Sequence, residues 1–251
     1  MKKIIYLLLL LLSPAMVQAE DISAKIIADS AYVKGDYKAA IEAYEAILTK
    51  EGEAADVYYN LGNAYYKSEN IAKAILNYER ALLLNPSDED VAFNMELARS
   101  KTVDKVADVH KFFLTEWLES IINLIAMQTW CIVGIVFFLL MLLTALVYLF
   151  GKSILLRKLC FFTALFALFV SLFANMSAYH QYHYQTNRID AIVVQPSVTA
   201  KSTPGESGTD LFVIHEGRKV AIVDDSMQGW KEIELEDGNI GWVPASVIER
   251  I

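Results

Sequence analysis

Side chains able to do chemistry are sparse in this 251-residue chain. Of the four histidines, His180 and His183 stand three apart and could share a metal. They lie among Tyr179, Tyr182 and Tyr184, where polar-tipped rings serve as anchors at a membrane boundary, and that role is favoured. His110 and His215 are isolated, and Glu232, Glu234 and Glu236 alternate with Ile233 and Leu235 like the wet face of a strand. There is no G-x-S-x-G, no H-E-x-x-H and no G-x-x-x-x-G-K phosphate loop. No enzyme activity, cofactor or metal centre is expected. The polar residues left with a recognition role are carboxamides. Asn60 and Asn94 stand 34 residues apart, and an amide can pair both ways with an extended backbone. Capping or solvating a helix is the plainer use of the same groups.

That spacing is the period of a repeat. A shift of 34 positions lays Ala40-Ile41 on Ala74-Ile75, Tyr44-Glu45 on Tyr78-Glu79 and Leu48 on Leu82. The copy at residues 55–88 resembles the tetratricopeptide family, with Tyr58, Leu61, Gly62, Tyr65, Ala74, Tyr78, Ala81 and Pro86 in motif positions. Gly62 and Ala74 let two antiparallel helices approach closely, and Pro86, lacking an amide proton, stops the second. The first copy is weaker, with Ala28 for the motif glycine and Gly52 for the proline, and the third has only its first helix. An all-α array is expected over residues 20–101. The resemblance implies a peptide-binding groove lined by each repeat's first helix. On this sequence it would present Tyr59, Asn60, Asn63, Tyr66, Phe93 and Asn94.

Two uncharged apolar runs, 131–150 and 159–178, are each 20 residues long. At about 1.5 Å rise per residue, either would cross a hydrocarbon core of roughly 30 Å as a helix. The loop 151–158 carries Lys152, Arg157 and Lys158 and no acid, which marks the cytoplasmic side. Residues 1–19 read as a signal peptide: Lys2 and Lys3, a short apolar stretch, then Val17-Gln18-Ala19. The expected topology is a hairpin in the cytoplasmic membrane with 20–130 and 179–251 both extracytoplasmic. These parts are acidic, 15 acids against 8 bases in 20–100 and 11 against 5 in 189–251, which argues against nucleic acid as a ligand. Cys131 and Cys160 would sit at opposite ends of the hairpin, beyond the ~7 Å reach of a disulfide.

Residues 102–130 are expected to form an amphipathic connecting helix. Phe113, Trp117, Ile121 and Leu124 share one stripe, and Thr115, Glu119 and Asn123 another. The segment could lie in the membrane interface or pack on the repeats. Glu116 and Glu119 weigh against the interface, where polar faces are usually basic.

After a juxtamembrane linker at 179–188 the pattern changes to short strands, at 191–194, 211–214, 219–223, 230–235 and 240–243. Five such strands suggest a small all-β barrel over 189–251. Gly217, Trp230, Gly238, Gly241 and Trp242 resemble the structural positions of a bacterial SH3-like domain, with both tryptophans expected in the core. Relatives of that kind bind cell-wall peptides or proteins. The whole order of parts, a multidomain α and β membrane protein, resembles the BatE-type proteins of Bacteroides aerotolerance operons. That resemblance implies a stress-tolerance complex of the cell envelope, with von Willebrand A-type membrane proteins as partners. Two functions are therefore expected in competition: a scaffold recruiting extracytoplasmic proteins, or a wall-binding module.

Overall fold

The computed structural model describes residues 19–104 and 112–251. The expected signal peptide, apart from Ala19, lies outside the described residues, as does His110. Five helices open the described chain: α1 (Ala19–Val33), α2 (Tyr37–Glu51), α3 (Ala55–Lys67), α4 (Ile71–Leu84) and α5 (Glu89–Arg99). The starts of α2, α4 and α5 carry side-chain caps. Asp36 accepts from the Ala39 amide at 3.1 Å, Asn70 from Lys73 at 3.1 Å and Asp88 from Val91 at 3.2 Å. Asp36 and Asn70 are one period apart, so the repeat extends to its caps.

The seam between α3 and α4 turns on Gly62. A Cβ there would lie 2.6 Å from Cε1 of Tyr78, so the tyrosine ring occupies the space that any side chain would need. Ala28, the equivalent residue one period earlier, is fully buried in one cluster with Tyr44.

Two long helices follow the short α6 (Phe113–Ile122): α7 (Met127–Phe150, 24 residues) and α8 (Ile154–Thr186, 33 residues). Both are long and apolar enough to cross a membrane, and most of their surface is uncovered by protein. They meet along Ala167, Ser171, Ala174, Ala178 and Gln181 on one face of α8. Small side chains there allow close approach, and the Ser171 hydroxyl donates to the Gly134 carbonyl at 3.0 Å. The loop is shorter than its basic residues suggest, because 154–158 are already helical. At the other end α8 continues through the expected linker to Thr186.

The C-terminal part has seven strands: β1 (Asp190–Val193), β2 (Ser197–Lys201), β3 (Asp210–His215), β4 (Lys219–Asp224), β5 (Trp230–Glu234), β6 (Ile240–Pro244) and β7 (Ile248–Arg250). They form one antiparallel sheet in the order β3-β2-β6-β5-β4-β1-β7, wrapped around a single core that includes Val193, Ile214, Val220, Ile233 and Val243. The expected closed barrel is not formed, since β3 and β7 are the two ends of the sheet. The edge of β7 meets α4 instead: the Arg250 carbonyl accepts from Arg80 at 2.6 Å, and Glu249 pairs with Lys73.

Candidate partner-binding face and its supports

One polar arrangement occurs twice in the array, a period apart. The Tyr44 hydroxyl donates to Oδ1 of Asp29 at 2.5 Å, and Asn60 Nδ2 donates to the same oxygen at 3.4 Å. Thirty-four residues on, the Tyr78 hydroxyl donates to Oδ1 of Asn63 at 2.8 Å, and Asn94 Nδ2 donates to that oxygen at 3.0 Å. Each acceptor on a first helix thus ties the second helix of its own repeat to the first helix of the next. Burial, and for Tyr44 the Asp29 carboxylate as well, pushes both tyrosine hydroxyls far above their ordinary range, which keeps them protonated donors.

The groove residues expected from sequence therefore divide. Asn60, Asn63 and Asn94 spend polar atoms on inter-repeat bonds, and Tyr59 joins them by accepting from Asn94 at 3.0 Å. Tyr66 is half-buried beneath the Lys101 ammonium, 4.1 Å from its ring centroid. Phe93, which takes the position of Tyr59 one period on, is 68% exposed. Asp29 escaped sequence reasoning, although it stands one period before Asn63.

The other side of α4 is covered by the sheet. In β1, Ala191 and Val193 point into the sheet core, whereas Ile192, between them, is fully buried in one cluster with Ile75, Leu76 and Val91 of the array. Gly217, at φ 81°, fits both a tight turn and this contact, since a Cβ there would lie 2.9 Å from Ile75 Cδ1 and 2.6 Å from Thr102 Cγ2. Lys219 reaches Glu79 at 3.1 Å and Asp190 at 3.0 Å, and Arg99 also pairs with Glu79. Burial works against the Lys219 ammonium, but Glu79, Tyr184 and Asp190 together outweigh it and its pKa is raised. Arg188 grips Glu53 through both oxygens, at 2.6 and 2.5 Å, and His215 meets Asp104 at 2.8 Å. Neither His180 nor His183 points to shared chemistry: His180 lines the cavity beside Lys219, and His183 is engaged by Asn187 at 2.8 Å.

Trp230 and Trp242 are not in the sheet core. Alternation sends Ile233, Gly241 and Val243 inward, and both tryptophans fall with Glu232 on the outer face, half-buried. Gly241 is buried where a Cβ would lie 3.0 Å from the Ala200 Cβ, and Gly238 takes a φ of 82° in the turn before β6.

No curated protein matches the chain. Residues 55–88, the segment that holds Gly62, Asn63 and Tyr78, match the family model of the tetratricopeptide repeat, a unit usually found in non-catalytic protein-interaction scaffolds.

Proposed function

We propose that the protein is a non-catalytic scaffold anchored in the cytoplasmic membrane, and that it recruits a segment of an extracytoplasmic partner on the face formed by α1, α3 and α5. One observation carries this reading. The sheet already occupies the second-helix side of the array, and Phe93 stands open on the first-helix side. In the proposed arrangement α7 and α8 span the bilayer, the short basic loop lies inside, and array and sheet lie together outside. The domain limits follow the sequence: signal peptide 1–19, array 20–101, connecting segment 102–130, spans 131–150 and 159–178, SH3-like domain 189–251. The resemblance to BatE-type proteins supplies the setting, an envelope complex linked to stress tolerance with von Willebrand A-type partners.

The test is co-purification from solubilised membranes. Phe93→Ala removes an exposed ring with little effect on folding, and loss of a central aromatic contact costs about 2 kcal/mol or more, roughly a thirtyfold loss at 1.4 kcal/mol per decade. Unchanged recovery of partners would reject the groove. A second reading, recognition of cell-wall polymer by the sheet, is favoured by Trp230 and Trp242 on its outer face. Saturable pelleting with isolated wall material, abolished by Trp242→Ala, would support it.

A further inference from the structure

We infer that α6 is an interfacial membrane helix whose apolar arc lies in the outer leaflet's headgroup–acyl boundary, fixing the height of the array above the bilayer. The inference rests on the proposed membrane hairpin. At about 100° per residue, Phe113, Leu114, Trp117, Leu118 and Ile121 share one arc of α6, and Thr115, Glu116, Glu119 and Ser120 share the other. In water such a helix turns its apolar arc toward the protein. Here the apolar arc is left open. Phe113 is 66% and Trp117 61% exposed, with Leu114 and Leu118 also open. Glu119 and Asn123, from the polar side, line the cavity of about 490 Å³ beside Leu83, Tyr184 and Lys219.

The end of α6 says what covers the open arc. The Ile122 carbonyl accepts from Trp130 Nε1 at 2.8 Å and from Gln181 Nε2 at 2.7 Å, and Gln181 also donates to the Ile125 carbonyl at 3.1 Å. Trp130 and Gln181 belong to the array-side ends of α7 and α8, so the helix is tied where the two apolar helices would leave the hydrocarbon. Its apolar arc is then continuous with theirs. With Glu116 and Glu119 as its only charges, α6 is held by apolar burial rather than by attraction to anionic lipid.

The experiment places nitroxide labels on the full chain, with Cys131 and Cys160 replaced by alanine, in phosphatidylcholine vesicles. Labels go at Trp117→Cys, Leu114→Cys, Ser120→Cys and, in the second half of α7, Leu143→Cys. Collision with oxygen is compared with collision with a water-soluble nickel chelate. At positions 117 and 114 oxygen should dominate severalfold, with less immersion than at 143, while the chelate dominates at 120. Immersion at 143 with the chelate dominant at 117 and 114 would overturn the interfacial helix and leave the hairpin standing. Exclusion of both reagents at 117 and 114 would show a protein surface, such as a second copy, on the arc and overturn it as well. A chelate-exposed 143 would remove the hairpin and the inference together.

Discussion

Ile192→Ala tests the union of array and sheet. The substitution deletes three carbons from a side chain that is fully buried against the array while its neighbours Ala191 and Val193 serve the sheet core. At about 0.8 kcal/mol per buried methylene the transfer loss is roughly 2.4 kcal/mol. The cavity left behind brings the total to about 2–5 kcal/mol. The loss should fall on docking rather than on the sheet. Hydrogen exchange of the solubilised chain separates the two, because undocking opens α4 and β1 together while β5 and β6 keep their own pairing. Exchange in α4 and β1 should accelerate by about tenfold or more, at 1.4 kcal/mol per decade, with β5 and β6 unchanged. Val193→Ala, its control, should instead loosen the sheet. Unaltered exchange in α4 with Ile192→Ala would refute a docked pair.

Gly62→Leu drives a side chain into the Tyr78 ring and should lower the stability of the array by about 1–3 kcal/mol, seen as a lower Tm. Glu69, at φ 65°, holds the left-handed position that Gly35 holds one period earlier at φ 79°. An L side chain costs roughly 1–2 kcal/mol there and glycine's extra unfolded freedom about 0.5–1, so Glu69→Gly should raise Tm slightly. Hydrogen bonds and charge from Arg188 hold the Glu53 carboxyl below its ordinary 4.5, burial opposing. A depressed native pKa gives stability that is complete above 4.5 and lost as pH falls through the lowered value. The advantage of wild type over Glu53→Gln, at most about 1 kcal/mol for so open a pair, should therefore be flat from neutral pH to 5 and vanish in stronger acid.

The repeat was legible because its constraints are local. Gly62, Tyr78 and Pro86 sit at fixed offsets, and the 34-residue shift exposes them without knowledge of the rest of the chain. The two apolar helices were legible through the absence of charge, although α8 runs on past its apolar run because Tyr179–Thr186 gives the helix no reason to stop. What could not be read was long-range. β2 (SVTAK) and β7 (IER) have too few apolar residues to declare themselves, and they are strands because neighbours 9 to 59 residues away complete their hydrogen bonding. The tryptophans were placed in the core by their hydrophobicity, but strand parity sends them outward. The carboxamides looked like free recognition groups because Asp29 and Asn63, which engage them, are 31 residues away in each case.

The central claim, a scaffold that recruits through the first-helix face, is tested most directly by photo-crosslinking in intact membranes. A benzophenone side chain replaces Phe93 on that face, or Glu42 on the exposed side of α2 as a control. The account predicts a discrete protein adduct from position 93, outcompeted when Asn94→Ala disturbs the inter-repeat ladder, and none from position 42. Equal labelling from both positions, or no adduct from 93 while the partners still co-purify, would contradict it.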